Sequence, residues 1–146
     1  VHMAVSGGDD VGVVLRFLLV VKKLERVGDQ AKNVFDLADE GVRFSGAEDY
    51  DRFVEFRSAV SAVFADAREL LAEPEHGDRA GFVARCNDLM DTFDRLVNGL
   101  IHSDDPASFA VPRAMLYRYL KRIVANLVSV VTTMTEAPEG EIDLDE

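Results

Sequence analysis

The chain has 146 residues, of which 48% are hydrophobic and 29% charged, and its formal net charge is −11. This is the composition of one soluble domain with enough apolar residues for a core. The acidic excess argues against a general nucleic-acid binder, because phosphate backbones select basic surfaces. The single cysteine, Cys86, excludes an internal disulfide and a cysteine-based metal cluster. No apolar run is long enough to span a bilayer and no signal-peptide pattern is present, so we predict a cytoplasmic protein without direct membrane insertion.

Four helices are predicted in chain order, over about residues 10–43, 50–72, 78–102 and 112–136. In each of them apolar residues recur at steps of three and four, which is the spacing of one buried helix stripe. Residues 9–138 are therefore expected to form one helical bundle. Residues 1–8 are predicted to be a tag remnant or a disordered start, and residues 139–146 an acidic disordered tail.

The first predicted helix has one long apolar stripe. Its members are Val14, Phe17, Val21, Leu24, Gly28, Ala31, Phe35 and Ala38. A glycine inside a helix costs about 1 kcal/mol relative to alanine, so we expect Gly28 to let a neighbouring helix approach closely. A row of valines beside this stripe is predicted to stay exposed and to pack against a second copy of the chain. These flanking residues are Val13, Val20, Val27 and Val34.

The other three helices show the same spacing and have recognisable ends. Pro74 stops the second helix, Asp78 is an N-cap for the third, and Pro112 suits the first turn of the fourth. The predicted stripes are Phe53, Phe56, Val60, Val63, Ala67 and Leu70; Phe82, Cys86, Leu89, Phe93, Leu96 and Leu100; and Leu116, Leu120, Ile123, Leu127, Val130 and Met134. Since the connections are short, we predict an all-α, antiparallel up-down-up-down four-helix bundle.

The most specific stretch is residues 24–34, which read Leu-Glu-Arg-Val-Gly-Asp-Gln-Ala-Lys-Asn-Val. It resembles the signature of the PhoU family, Leu-Glu-Arg-Ile-Gly-Asp-His-Ala-x-Asn-Ile, and differs in kind only at Gln30. A weaker copy occupies residues 120–130, where Leu120 and Arg122 match Leu24 and Arg26. PhoU proteins consist of two three-helix repeats. The resemblance thus implies a PhoU-like bundle that lacks the first two helices of repeat one, as a truncated chain, a short family member or a piece of a longer protein.

The resemblance also implies a function. PhoU proteins regulate phosphate uptake and phosphate signalling between a transporter's ATPase subunit and a sensor histidine kinase. We therefore expect a negative regulator that binds these proteins as a homodimer, and not an enzyme, since no catalytic constellation is evident. Arg118 and Arg122, four residues apart, are the predicted partner-binding residues, able to grip an acidic surface or a phosphate. The alternative for them is ordinary pairing with neighbouring acids.

A metal site is the third implication of the resemblance. Many PhoU relatives hold iron or zinc through a Glu-x-x-x-Asp-x-x-x-Asn/Asp stripe, which here maps onto Glu25, Asp29 and Asn33. Residues four apart share one helix face, so these oxygens form a continuous ladder. The alternative is a solvated polar face. Two other functions consequently stay open beside the regulator: an iron- or zinc-binding helical protein, and a structural dimerisation module.

Overall fold

The computed structural model describes the backbone of residues 2–136 and the side chains of residues 10–136; the predicted acidic tail, residues 139–146, lies outside the described residues. Four helices follow one another: α1 (His2–Asp39), α2 (Tyr50–Ala72), α3 (Arg79–Ile101) and α4 (Ala107–Thr135). None of the described residues forms a strand. Within the same range, no helix is both long and apolar enough to cross a bilayer.

Contacts at the helix ends define the directions of the helices. Arg113, near the start of α4, pairs with Asp49, directly before α2, so these two helices run parallel. Arg79 at the start of α3 lies 3.7 Å from Glu136 at the end of α4. Arg16 of α1 reaches the backbone oxygen of the same Glu136 at 3.4 Å. Both α1 and α3 are therefore antiparallel to α4, which confirms the predicted all-α up-down-up-down bundle.

The core lies between α2, α3 and α4. These helices bury the stripes that their apolar spacing predicts, because each turns one apolar side to the other two. The predicted residues that are buried are Val60, Val63, Ala67, Leu70, Phe82, Cys86, Phe93, Leu116, Ile123, Leu127 and Val130. Met134, the last residue of the α4 stripe, is an exception and is exposed.

The central helix is α4, which contacts each of the other three. It accordingly buries residues on more than one side. Besides its predicted stripe, Tyr117, Val124 and Val131 are at most 2% exposed. Such a helix needs apolar residues around most of its circumference, and the run from Ile123 to Val131 provides them.

The predicted orientation of α1 is wrong. Within the described part of the chain, α1 packs on α4 alone and contacts neither α2 nor α3. Its buried residues are Val20 and Val27, which belong to the valine row that was expected to face a second copy. The predicted stripe is exposed instead. We call this exposed stripe the α1 apolar face; it comprises Val14, Phe17, Val21, Leu24, Gly28, Ala31, Phe35 and Ala38.

Gly28 does not have the role that its position suggested. A Cβ atom built on it meets no other described atom within 4 Å, so none of the other three described helices approaches there. Its place in the middle of the α1 apolar face leaves a shallow notch open to solvent.

Helix α1 begins and ends earlier than predicted. It starts at His2, and so includes residues 2–8, and it ends at Asp39 where residue 43 was expected. The early end has a local cause, since Gly41 adopts a φ of +86°. The backbone N–H of Val42 then donates to Leu37 and that of Gly41 to Ala38. This pair of hydrogen bonds is a Schellman motif, which terminates a helix.

Helix α4 begins at Ala107, five residues before the predicted start at residue 112. Pro106 is its N-cap, with φ −58° and ψ 147°. Pro112 therefore lies inside the second turn, where it removes one backbone hydrogen bond. The proline that marks the start of the helix is thus Pro106.

The predicted N-cap of α3 is confirmed, and it gives a testable expectation. The carboxylate of Asp78 accepts a 2.9 Å hydrogen bond from the backbone N–H of Gly81. We expect Asp78→Ala to lower the free energy of unfolding by about 1 kcal/mol, because one of the free N–H groups of the first turn loses its acceptor. Thermal unfolding followed by circular dichroism measures this change. Asp91→Ala, at an exposed position within α3, is the matched control; equal losses in both variants would contradict a capping role.

Candidate functional site

The stretch that resembles the PhoU signature lies on the outside of the molecule. Of residues 24–34 only Val27 is buried, where α1 meets α4. The charged residues Glu25, Arg26, Asp29 and Lys32 are all exposed. Lys32 donates a 2.8 Å hydrogen bond to Asp36, which raises the pKa of Lys32; the negative charge of Asp29 adds to the effect. Over residues 25–32 the outer side of α1 is therefore polar, and it lies beside the apolar face.

Gln30, the residue at which the resemblance departs from a histidine, faces a different environment. It lies three residues after Val27 and so on the side of α1 that packs on α4. Its side-chain oxygen is buried and accepts no hydrogen bond from any described residue. A buried acceptor without a donor is unfavourable. Gln30 thus belongs to the contact between α1 and α4 and does not join the polar surface.

The predicted metal ligands share one side of α1. Glu25 and Asp29 are exposed and Asn33 is half-buried. A structural zinc site takes four protein ligands, and hard cations take six or more oxygens. Among residues 10–136, no three His, Cys, Asp or Glu side chains are grouped so that they could hold a metal ion. Two carboxylates and one amide from one helix do not complete an iron or zinc centre within one copy, and the assignment stays a prediction.

The two predicted partner-binding residues, Arg118 and Arg122, have different surroundings in the structure. Arg118 lies 3.7 Å from the carboxylate of Asp94 in α3. Lys121 binds the same carboxylate at 2.5 Å. Arg122 is exposed and forms no ion pair with any residue in the described part of the chain. Internal pairing thus accounts for Arg118, and Arg122 remains open to an acidic partner.

A buried arginine, which the sequence did not indicate, holds the connection between α1 and α2. Arg113 donates to both carboxylate oxygens of Asp49, each at 2.8 Å, and to the backbone oxygen of Phe109. Its guanidinium carbon also lies 3.6 Å from the centre of the Phe109 ring. All the hydrogen-bonding nitrogens of Arg113 are thereby engaged. The cluster is suited to fix the α1–α2 connection to α4.

An open depression of about 420 Å³ lies between the end of α2 and the start of α3. Its charged and imidazole-bearing walls comprise Asp66, Glu69, Glu73, His76, Asp78 and Arg85. Arg85 lies 3.2 Å from Asp66, so the one cation of the lining is paired. The lining offers no hydroxyl or thiol nucleophile. Its strongly acidic surroundings fit a solvated end of the bundle.

The thiol of Cys86 is expected to be unreactive in the folded chain. Its side chain is 1% exposed, and burial raises the pKa of the thiol to about 11. Since only the thiolate is nucleophilic, we expect Cys86 to react slowly with a thiol reagent such as Ellman's reagent at neutral pH. Denaturant should restore the reaction rate of an ordinary cysteine. A rate in buffer equal to that in denaturant would show that the thiol is accessible.

Comparisons with known proteins leave the family open. No protein-family model, no curated protein and no solved structure matches this chain. The resemblance to the PhoU family is thus carried by residues 24–34 and by the weaker copy at residues 120–130.

Proposed function

We propose that this protein is a cytoplasmic regulator of phosphate uptake and phosphate signalling, which acts as a homodimer by binding other proteins. The observation that supports this function best is the position of the signature-like stretch. Residues 24–34 contribute one buried side chain, Val27, to the fold, and they expose four charged ones. A stretch with so small a share in the core is free to contact a partner along its outer side.

The partners follow from the resemblance: the ATPase subunit of a phosphate transporter or a sensor histidine kinase. The charge of the chain suits a basic partner surface, because its formal net charge is −11 and opposite potentials steer association. Glu25 and Asp29 are the carboxylates of the signature-like stretch and are exposed. Arg122, exposed on α4, offers a cation to an acidic surface.

Affinity capture tests this proposal. The immobilised protein is incubated with a lysate of phosphate-grown source cells, and the bound proteins are identified by mass spectrometry. We expect a phosphate-transporter ATPase or a sensor kinase to be retained by the wild type and lost by the double variant Glu25→Lys/Asp29→Lys. Asp88→Lys/Asp91→Lys, which makes the same change of charge at exposed positions of α3, should retain it. Equal retention by the two variants, or recovery of neither partner, would contradict the proposal.

A further inference from the structure

The α1 apolar face is not covered by any other described helix. Its bulky members are far from buried: Phe17 is 61% exposed and Phe35 68%. Together its exposed side chains present on the order of 600 Å² of apolar surface, against about 800 Å² that each partner buries in a standard interface. Contiguous exposed apolar patches of this size are often interaction sites in folded proteins.

The spacing of the face suits another helix. Its residues alternate three and four apart over more than three heptads, from Val14 to Ala38, which is the repeat of a coiled-coil seam. The apolar face and the side of α1 that packs on α4 are different sides of the helix. Val27 and Gly28 are consecutive, so the side packed on α4 and the apolar face lie about 100° apart around the helix axis. Helix α1 can therefore contact α4 and a second helix at the same time.

The order of large and small residues along the face is self-complementary. Consider two α1 helices that are antiparallel and related by a two-fold axis level with Arg26, so that residues equally far from Arg26 meet. The pairs are then Leu24 with Gly28, Val21 with Ala31, and Phe17 with Phe35. Each of the first two pairs sets a large side chain against a small one, and the third sets two aromatic rings together. The open notch at Gly28 receives Leu24 of the other copy.

A parallel pair does not have this property. There each residue meets its own equivalent, so that Gly28 faces Gly28 and Ala31 faces Ala31. The small residues would leave a gap next to the bulky Leu24 and Phe35 layers, and gaps between packed helices are unfavourable. The sequence of the face thus favours the antiparallel arrangement.

We infer that the α1 apolar face binds a second copy of this chain, in an antiparallel pair of α1 helices with its two-fold axis near Arg26. The interface rests on the homodimeric state proposed above and specifies its surface and orientation. It replaces the valine row as the contact, because Val20 and Val27 are buried against α4.

Light scattering of the purified protein tests the interface without any partner protein present. We expect a particle of twice the 16.1 kDa chain mass for the wild type. Phe17→Glu/Leu24→Glu should weaken dimerisation at least a hundredfold, since two carboxylates from each copy would enter an apolar seam. The matched control is Phe64→Glu/Leu71→Glu, at two exposed apolar positions of α2, which should remain dimeric. Circular dichroism verifies that both variants are folded.

A monomeric wild type at high concentration would overturn the interface, as would a dimer that tolerates the α1 substitutions. A monomeric wild type would also remove the homodimer from the proposed function, whereas a dimer that tolerates the α1 substitutions would overturn this interface alone. Neither result affects partner capture, which depends on the polar side of α1. Conversely, a dimer that captures neither phosphate-system protein would leave this interface standing and overturn the proposed function.

Cysteine cross-linking tests the orientation. In the antiparallel pair Val21 lies opposite Ala31, so a mixture of the variants Val21→Cys and Ala31→Cys should form a disulfide-linked dimer on mild oxidation. Each variant alone should not, because its two copies of the new cysteine lie about 15 Å apart along the helices. Cys86 does not interfere, since it is buried in the core. Cross-linking of Ala31→Cys alone would overturn the antiparallel arrangement.

Discussion

Phe93→Ala is expected to lower the free energy of unfolding by about 3–5 kcal/mol, because it removes a large side chain that the surrounding core cannot replace. Phe93 is fully buried. Its ring lies 5.0 Å from that of Phe56 in α2 and 6.2 Å from that of Tyr117 in α4. The truncation therefore opens a cavity at the point where α2, α3 and α4 meet. Urea unfolding, followed by the helical circular dichroism signal, measures the change.

Phe64→Ala is the matched control for this substitution. Phe64 lies on α2 and is 43% exposed, so the same truncation there removes few contacts. We expect a change within about 0.5 kcal/mol, as is usual for surface positions. Equal losses in the two variants would mean that the three-helix core is not centred on the aromatic rings of Phe56, Phe93 and Tyr117.

Arg113→Ala is expected to lower the free energy of unfolding by about 2–3 kcal/mol. Removing one partner of a buried ion pair leaves the other charge without compensation, which typically costs about 3–5 kcal/mol. The side chain of Asp49 is 20% exposed, so water offsets a part of that loss. The variant also loses the stacking of the guanidinium on Phe109. Arg118→Ala, which breaks an exposed ion pair on the same helix, should change stability by less than about 1 kcal/mol.

The stabilisation by Arg113 should depend on pH. The hydrogen bonds from Arg113 hold the pKa of Asp49 below its ordinary value of 3.8. The pair therefore contributes its full stabilisation above the pKa that Asp49 has in the unfolded chain, and this contribution is lost as the pH falls through the lower folded-state pKa. The difference in unfolding free energy between wild type and Arg113→Ala should be constant from pH 5 to 7 and should shrink below about pH 4. A difference that stays unchanged in acid would show that stacking and packing, and not the ion pair, carry the effect.

The sequence determined the fold class and the cores of α2, α3 and α4. In those helices one stripe is clearly more apolar than the rest, so the spacing of residues such as Val63, Phe93 and Leu127 identifies the buried side. The N-cap at Asp78 could be predicted as well. A cap depends on residues within one turn of the chain, here Asp78 and Gly81.

The orientation of α1 was decided by the tertiary structure. This helix has two apolar sides, the valine row with Val20 and Val27 and the wider stripe with Phe17, Leu24 and Phe35. Periodicity shows that both are apolar, but it does not show which of them meets α4. How many sides are buried depends on how many neighbours the helix has, and the described part of the chain supplies α1 with one. One neighbour can cover one of the two sides, and in this structure the smaller valines make that contact while the wider stripe stays open.

In the candidate site, too, the sequence predicted local placement, and the tertiary structure decided which side chains pair. The sequence placed Glu25, Asp29 and Asn33 on one side of one helix, because four-residue spacing is a local property. It could not show that Arg118 would be engaged by Asp94 of α3, or that Arg113 would find Asp49, 64 residues away along the chain. Side-chain pairs between helices depend on the direction and rotation of both partners, and those are settled only when the helices pack. Local spacing thus determined which residues share a face, and the packing around α4 decided which faces are buried, paired or exposed.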